Sequence, residues 1–206
     1  MANLSQTMKS WIVTGGVGCG KSHVMKSLGV LTARFSATFS ADAAVREVVG
    51  PAVAAQVRAE FSAPVPEGDT AALRGWLREN VLPVPALRTR LEGILHPPVL
   101  AALEEARKGA REGGVNLFLA EVPLHYEIGG TVSADFVIVV ASSRSVQVRR
   151  MMENRGLDEP TVQKFLDAQW PIEAKVERAD AVIWNDGSLA SLDAQVLTLA
   201  SPLLQA

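Results

Sequence analysis

One cysteine, Cys19, stands in 206 residues, which excludes an intrachain disulfide framework and a thiolate zinc site. The histidines are also few, and their wide separation gives no metal-ligand spacing that would build a zinc site from the chain itself. A net charge of −2 leaves no global basic field, so nucleic acid is not expected as a partner. No run approaches the roughly 20 apolar residues of a membrane span, and Met1 to Ser10 lacks the apolar core of a signal peptide. A cytoplasmic protein without a membrane partner is expected, as a monomer or weak homo-oligomer. Internal repeats and low-complexity tracts are missing too. What is present is a chain 48% apolar and 20% charged, too apolar for disorder and ordinary for a globular enzyme. Its length suits one α/β unit with excursions.

The most informative stretch is Trp11-Ile12-Val13-Thr14 running into Gly15-Gly16-Val17-Gly18-Cys19-Gly20-Lys21-Ser22. An apolar strand leads into a turn that satisfies G-x-x-x-x-G-K-[ST], and a helix-compatible stretch follows. Glycines let the backbone turn its N–H groups toward an anion. Lys21 adds a point charge for β- and γ-phosphates, Ser22 offers a hydroxyl to Mg²⁺, and the helix start presents unpaired N–H groups and a positive dipole end. The stretch reads as a phosphate cradle.

Downstream, a helix from Lys21 should end near Gly29 and a second strand should lie within Ala33 to Ser40. A helix reaching Val49 is then ended by Gly50-Pro51. Ala52 to Phe61, Leu73 to Val81 and Ala86 to Leu95 read as helices, and Pro97-Pro98 should open a separate one, Val99 to Arg111. Val115 to Ala120, Phe136 to Val140 and Ala181 to Trp184 are short continuous apolar runs, the signature of strands buried on both faces of a parallel sheet. Helices over Ser143 to Asn154, Glu159 to Gln169, Glu173 to Arg178 and from Leu189 complete an α/β alternation.

An acid following the second strand of such a fold stands near a γ-phosphate, and Asp42 occupies that place. It fits two compatible roles, a helix N-cap and a base toward an acceptor hydroxyl. Glu121, at the end of a strand, could hold a Mg²⁺-bound water, face a substrate or be a plain surface carboxylate. Arg149, Arg150 and Arg155 form a basic cluster suited either to transferring phosphoryl oxygens or to a solvated helix face. His23 and His125 read as structural, Asn185 as a turn former, Arg46 as a solvated charge and His96 as a cap ahead of Pro97.

Taken together, the glycine loop, Asp42 with Arg46-Glu47-Val48-Val49, Leu95-His96-Pro97, Pro123-Leu124 with Glu127, and Ala179-Asp180-Ala181-Val182-Ile183 with Asn185 resemble the dephospho-CoA kinases. The resemblance spans about Trp11 to Ser188, and five blocks in this order are far more specific than the loop alone. It implies a P-loop NTPase fold: a parallel β-sheet core flanked by helices, a helical substrate-binding region at approximately 50–112 and a lid at approximately 149–178. It also implies ATP with Mg²⁺ as phosphoryl donor, dephospho-CoA as the small-molecule acceptor, and transfer to its ribose 3′-hydroxyl. The rivals are another small-molecule or nucleoside monophosphate kinase and an ATP-binding module without transferase activity.

Carried over by position, the resemblance gives Gly16, Gly18, Cys19, Gly20, Lys21, Ser22, His23, Arg150 and Asn185 to ATP, and Ser22 with Glu121 to the metal. It gives Asp42, Lys21, Arg150 and Arg155 to catalysis, and Asp42, Arg46, His96 and Glu127 to the acceptor. The chain departs from the pattern in several places. Ser40-Ala41-Asp42 stands for Asp-Ala-Asp, Glu121 for an aspartate, Cys19 for a serine and His125 for an apolar residue. Asn154 takes the place of the second lid arginine, with Arg155 next to it, and the segment between Gly29 and Asp42 is longer.

Overall fold

The computed structural model describes residues 7–48, 50–130 and 132–205, the Val48 side chain excepted. Val49, expected to close the helix after Asp42, lies outside the described residues, as does most of the stretch read for a signal peptide. In chain order the elements are β1 (Lys9–Gly15), α1 (Lys21–Leu31), β2 (Ser36–Ser40), α2 (Ala41–Val48), α3 (Pro51–Phe61), α4 (Thr70–Asn80) and α5 (Pro85–Glu112). They continue with β3 (Leu117–Glu121), β4 (Phe136–Ala141), α6 (Arg144–Arg155), α7 (Glu159–Asp167), α8 (Ile172–Val176), β5 (Ala181–Trp184) and α9 (Leu189–Leu204). The chain divides into two compact units, one of Met1–Ser40 with Ala106–Ala206, the other of Ala41–Glu105.

The first unit is built on a five-stranded sheet in the order β2-β3-β1-β4-β5, every pair parallel. Ile12, Val13 and Thr14 of the central strand and Ile138 to Ala141 beside it have no solvent exposure, as continuous apolar runs require of strands covered on both faces. Val24 and Leu28 of α1 join Leu192, Val196 and Ala200 of α9 in this core. Thr32 closes α1 by donating its hydroxyl back to the Leu28 carbonyl at 2.8 Å. A smaller core of Met151, Val162 and Leu166 packs α6 on α7 and takes in Val17 of the glycine loop.

A parallel sheet presents the carboxyl ends of its strands along one edge, which is where ligands bind in open α/β folds. Here that edge carries Gly15 from β1, Glu121 from β3, Ser142 just after β4 and Asn185 just after β5. Strand β3 extends one residue beyond the expected run and so takes in Glu121.

The second unit is helical, with a core of Ala54, Val57, Leu73, Leu77, Val81 and Leu91. Asp69 caps α4 by accepting from the Ala72 amide at 2.8 Å. The expected break at Pro97-Pro98 does not occur: both prolines lie inside the single helix α5. Proline already holds a helical φ, and the lost donors affect only the carbonyls of Gly93 and Ile94, one turn back. The penalty of about 3 kcal/mol per interior proline is offset by buried Leu91, Val99 and Leu103, each worth roughly 1.5–3 kcal/mol. His96 is consequently an interior helix residue and not a cap. Among the described residues no helix is long and apolar enough to cross a membrane.

Leu119 lies at the centre of β3 with no exposure. Leu119→Ala should lower the unfolding free energy by about 2–5 kcal/mol, read from urea denaturation midpoints at unchanged slope.

Candidate active site

At Gly15 the chain leaves the sheet with φ 140°. A Cβ here would stand 2.0 Å from the Val140 carbonyl oxygen of the neighbouring strand, so glycine is obligatory both for conformation and for space. Gly20, with φ 92°, is the second such position, since a Cβ would meet the Asn185 amide nitrogen at 2.5 Å. Between them the loop folds over Lys21, which is buried and donates to the carbonyls of Gly16 at 2.8 Å and Gly15 at 3.4 Å. Amides of His23 and Val24 reach the Gly20 carbonyl and start α1. Cys19 is fully buried, and that burial pushes its thiol pKa up against the opposing charge of Lys21, so it acts as a small core side chain.

Register places Glu121 opposite Val13 on one side and Ser40 on the other. Its side chain is buried, which removes the surface-carboxylate reading, and it accepts the Ser22 hydroxyl at 2.9 Å. A hydroxyl and a carboxylate converging at the start of α1 are hard oxygen donors of the kind Mg²⁺ takes in small number, keeping its waters. No group of three or more His, Cys, Asp or Glu side chains could hold a metal among the described residues. Any cation at this place therefore relies on water and ligand oxygens for most of its coordination.

The other wall of the loop comes from α6 and the turn after β5. Asn185 is buried and donates its amide to the Cys19 carbonyl at 2.9 Å. Arg150 reaches the Gly18 carbonyl at 3.4 Å, the Ser142 hydroxyl at 3.3 Å and the Asn185 side-chain carbonyl at 3.3 Å. Asp186 receives the Ser143 amide at 2.8 Å ahead of α6. Desolvation opposes its ionisation, but the Ser143 amide and the Trp184 indole hold its carboxyl below the usual range. Arg149 and Arg155 are exposed.

Two glutamines that sequence reasoning missed hold the tip of the loop. Gln147 donates to the Val17 carbonyl at 2.7 Å, while Gln169 accepts from the Val17 amide at 2.9 Å. Gln147 could have been suspected from its place on the buried stripe Val146, Gln147 and Met151. Gln169 follows α7 in a turn and carries no such signal.

Not every expected residue joins this cluster. The His23 ring contacts Asp193 of α9 at 2.7 Å and is spent on that pair. Glu127 forms an ion pair of 2.6 Å with Lys175 and accepts the Trp170 amide at 3.0 Å. Asp42, Arg46 and His96 belong to the second unit. Asp42 is exposed in the first turn of α2, which begins at Ala41, so it is not the residue before the helix. Its charge there suits the positive dipole end. Arg46 is exposed and returns its Nε to the Asp42 carbonyl at 3.3 Å.

A parallel sheet of this order, with a G-x-x-x-x-G-K-[ST] loop closing on a buried lysine and a Ser–Glu pair at the strand ends, defines a P-loop NTPase fold. Within that class the comparisons are specific. The profile of the dephospho-CoA kinase family matches residues 11–191, and the chain belongs to that family. A dephospho-CoA kinase of Syntrophotalea carbinolica is 33% identical over 194 residues, covering 93% of this chain and 90% of that one. A crystal structure from Thermus thermophilus superposes with a TM-score of 0.75 at 27% identity, covering 96% of this chain and 98% of that one. Dephospho-CoA kinase from Campylobacter jejuni shares the fold, with a TM-score of 0.61, 23% identity and coverage of 97% and 99%.

His125, beside the Glu127–Lys175 pair, is buried with Nδ1 lacking a hydrogen-bond partner. Desolvation lowers its pKa, Glu127 works the other way, and Lys175 lowers it further. The unfolded chain therefore takes up a proton below about pH 6.5 that the folded chain refuses. Stability from this group is complete above that value and is lost as pH falls toward the depressed folded pKa. Urea midpoints at pH 7.5, 6.5 and 5.5 should fall less steeply in His125→Leu than in the wild type; equal slopes would show that His125 contributes nothing to the acid sensitivity.

Proposed function

We infer that this protein transfers the γ-phosphoryl group of ATP to dephospho-CoA, giving CoA. The observation that carries this reading is the Ser22–Glu121 pair at the mouth of a complete glycine loop in a chain of the dephospho-CoA kinase family. The acceptor atom is the ribose 3′-hydroxyl and the reaction is the final step of CoA biosynthesis, carried out by a cytoplasmic protein that is a monomer or weak homo-oligomer.

In the reaction the acceptor oxygen attacks the γ-phosphorus, the bond to the β–γ bridging oxygen breaks, and ADP leaves with that electron pair. Asp42 orients the hydroxyl and accepts its proton. Lys21 exchanges the Gly15 and Gly16 carbonyls for phosphate oxygens, and because it is buried its charge meets the triphosphate with little water to displace. Gly16, Gly18, Cys19, Gly20, Ser22 and the backbone of His23, whose ring stays on Asp193, present the cradle to the phosphates. Arg150 and Arg155 act on the transferring group, with Asn185 serving the nucleotide as well as the loop. Ser22 and Glu121 would hold Mg²⁺, which neutralises charge on the β- and γ-phosphates when bound. Arg46, His96 and Glu127 receive dephospho-CoA, the helical region at approximately 50–112 forms the acceptor side, and approximately 149–178 forms the lid.

Purified protein incubated with Mg-ATP and dephospho-CoA, AMP or adenosine in separate reactions should yield a phosphorylated product only with dephospho-CoA. Mass spectrometry reads the outcome, and absence of CoA sinks the assignment. Asp42→Asn should keep ATP affinity and lose turnover by about 10²- to 10⁴-fold, whereas Lys21→Ala should impair both. Full turnover in Asp42→Asn removes that residue as the base.

A further inference from the structure

Lys175 of α8 has no solvent exposure, an unusual place for an ammonium group. Such a group persists only where its charge and its donors are met inside the protein. Glu127 Oε1 meets the charge at 2.6 Å, and a second, longer contact of 3.5 Å reaches the carbonyl oxygen of Gly15. That oxygen also accepts a contact of 3.4 Å from Lys21, longer than the 2.8 Å bond of Lys21 to the Gly16 carbonyl. Two ammonium groups therefore converge on one carbonyl, at the residue where β1 becomes the phosphate loop.

Their situations differ. Lys21 is held by loop carbonyls that a triphosphate's oxygens can replace. Lys175 is held by a carboxylate that is itself tied to the Trp170 amide, so it has no reason to leave. The Gly15 carbonyl belongs to the residue at which β1 leaves the sheet with φ 140°, so the donors that meet it act at the start of the loop. When Lys21 turns to phosphate, Lys175 remains as the donor that keeps this carbonyl in place.

We propose that Lys175, held by its counter-ion Glu127, is a positioning residue that maintains the phosphate loop through the Gly15 carbonyl and thereby sets affinity for ATP. It deepens the kinase reading and rests on it. Lys175 does not touch the reacting atoms. Glu127 Oε1 is committed to this pair, which leaves the buried and unpartnered Oε2 as the atom available to anything else in the site.

The test compares wild type, Lys175→Met and the double variant Lys175→Met/Glu127→Gln. The single change strands a buried carboxylate and should lower the melting temperature. The double change removes both charges while the Gln carbonyl can still accept the Trp170 amide, and it should recover most of that loss. If the lysine positions the loop, the double variant still binds ATP at least 10-fold more weakly by calorimetry, and KM for ATP, measured at saturating dephospho-CoA, rises by a similar factor. Affinity within twofold of wild type in a stable double variant overturns the proposal, because the pair is then merely structural. Failure of the double variant to fold also counts against it. A wild-type protein that binds ATP but forms no CoA defeats the substrate reading alone, since the affinity comparison still judges Lys175.

Discussion

The approach of Gly15 to Val140 is the constraint on which the site depends. At this point β1 is still paired with β4, yet its backbone turns out of the sheet into a conformation that side chains disfavour. The turn is possible because nothing projects from Gly15, and it sets the direction of everything after it. The loop doubles back over Lys21, Gly20 comes against Asn185, and α1 begins at Lys21 with Gly20 as its N-cap. A different residue at position 15 would have to separate β1 from β4 where the loop leaves the sheet.

Around that turn the loop is gripped from outside. Asn185, Arg150, Gln147 and Gln169 take its carbonyls and the Val17 amide, while Val17 itself sinks into the core between α6 and α7. These contacts join the loop to the same helices whose basic residues were read as a lid. The loop and that region accordingly share one packed arrangement, and a shift of α6 would be felt at Val17 and Gly18 through hydrogen bonds under 3.5 Å. Precision at the phosphates is thus supplied by neutral amide groups as well as by charges, which suits a loop whose own carbonyls also need partners.

How much of this could be read beforehand divides along physical lines. The loop was legible because its chemistry demands particular residues in consecutive positions. Strands β3 and β4 were legible because burial on both faces forces continuous apolar runs, whereas β5 has the same kind of apolar run but lies at the sheet edge with Val182 and Trp184 exposed. Pro97-Pro98 misled because local rules price a proline without weighing the burial of Leu91, Val99 and Leu103 around it. Glu121 was placed correctly at a strand end, but its burial depends on neighbouring strands that only topology supplies. Lys175 and Gln169 gave no signal at all: a lysine in a short helix and a glutamine in a turn look solvated until tertiary contacts bury one and engage the other.

The two sides of the proposed reaction also differ in how their charges are kept. Lys21, Lys175 and Glu121 are withdrawn from water in the free protein and satisfied by one another's neighbours, so the desolvation cost has been met by folding. Asp42 and Arg46, on the proposed acceptor side, are exposed on a short helix where water can solvate their charges. On the proposed reading, nucleotide binding replaces neutral carbonyl acceptors of Lys21 with anionic phosphate oxygens, which adds ion-pair attraction to a donor that is charged in both states. On that reading the exchange of acceptors favours a triphosphate, because the buried lysine has little hydration to lose.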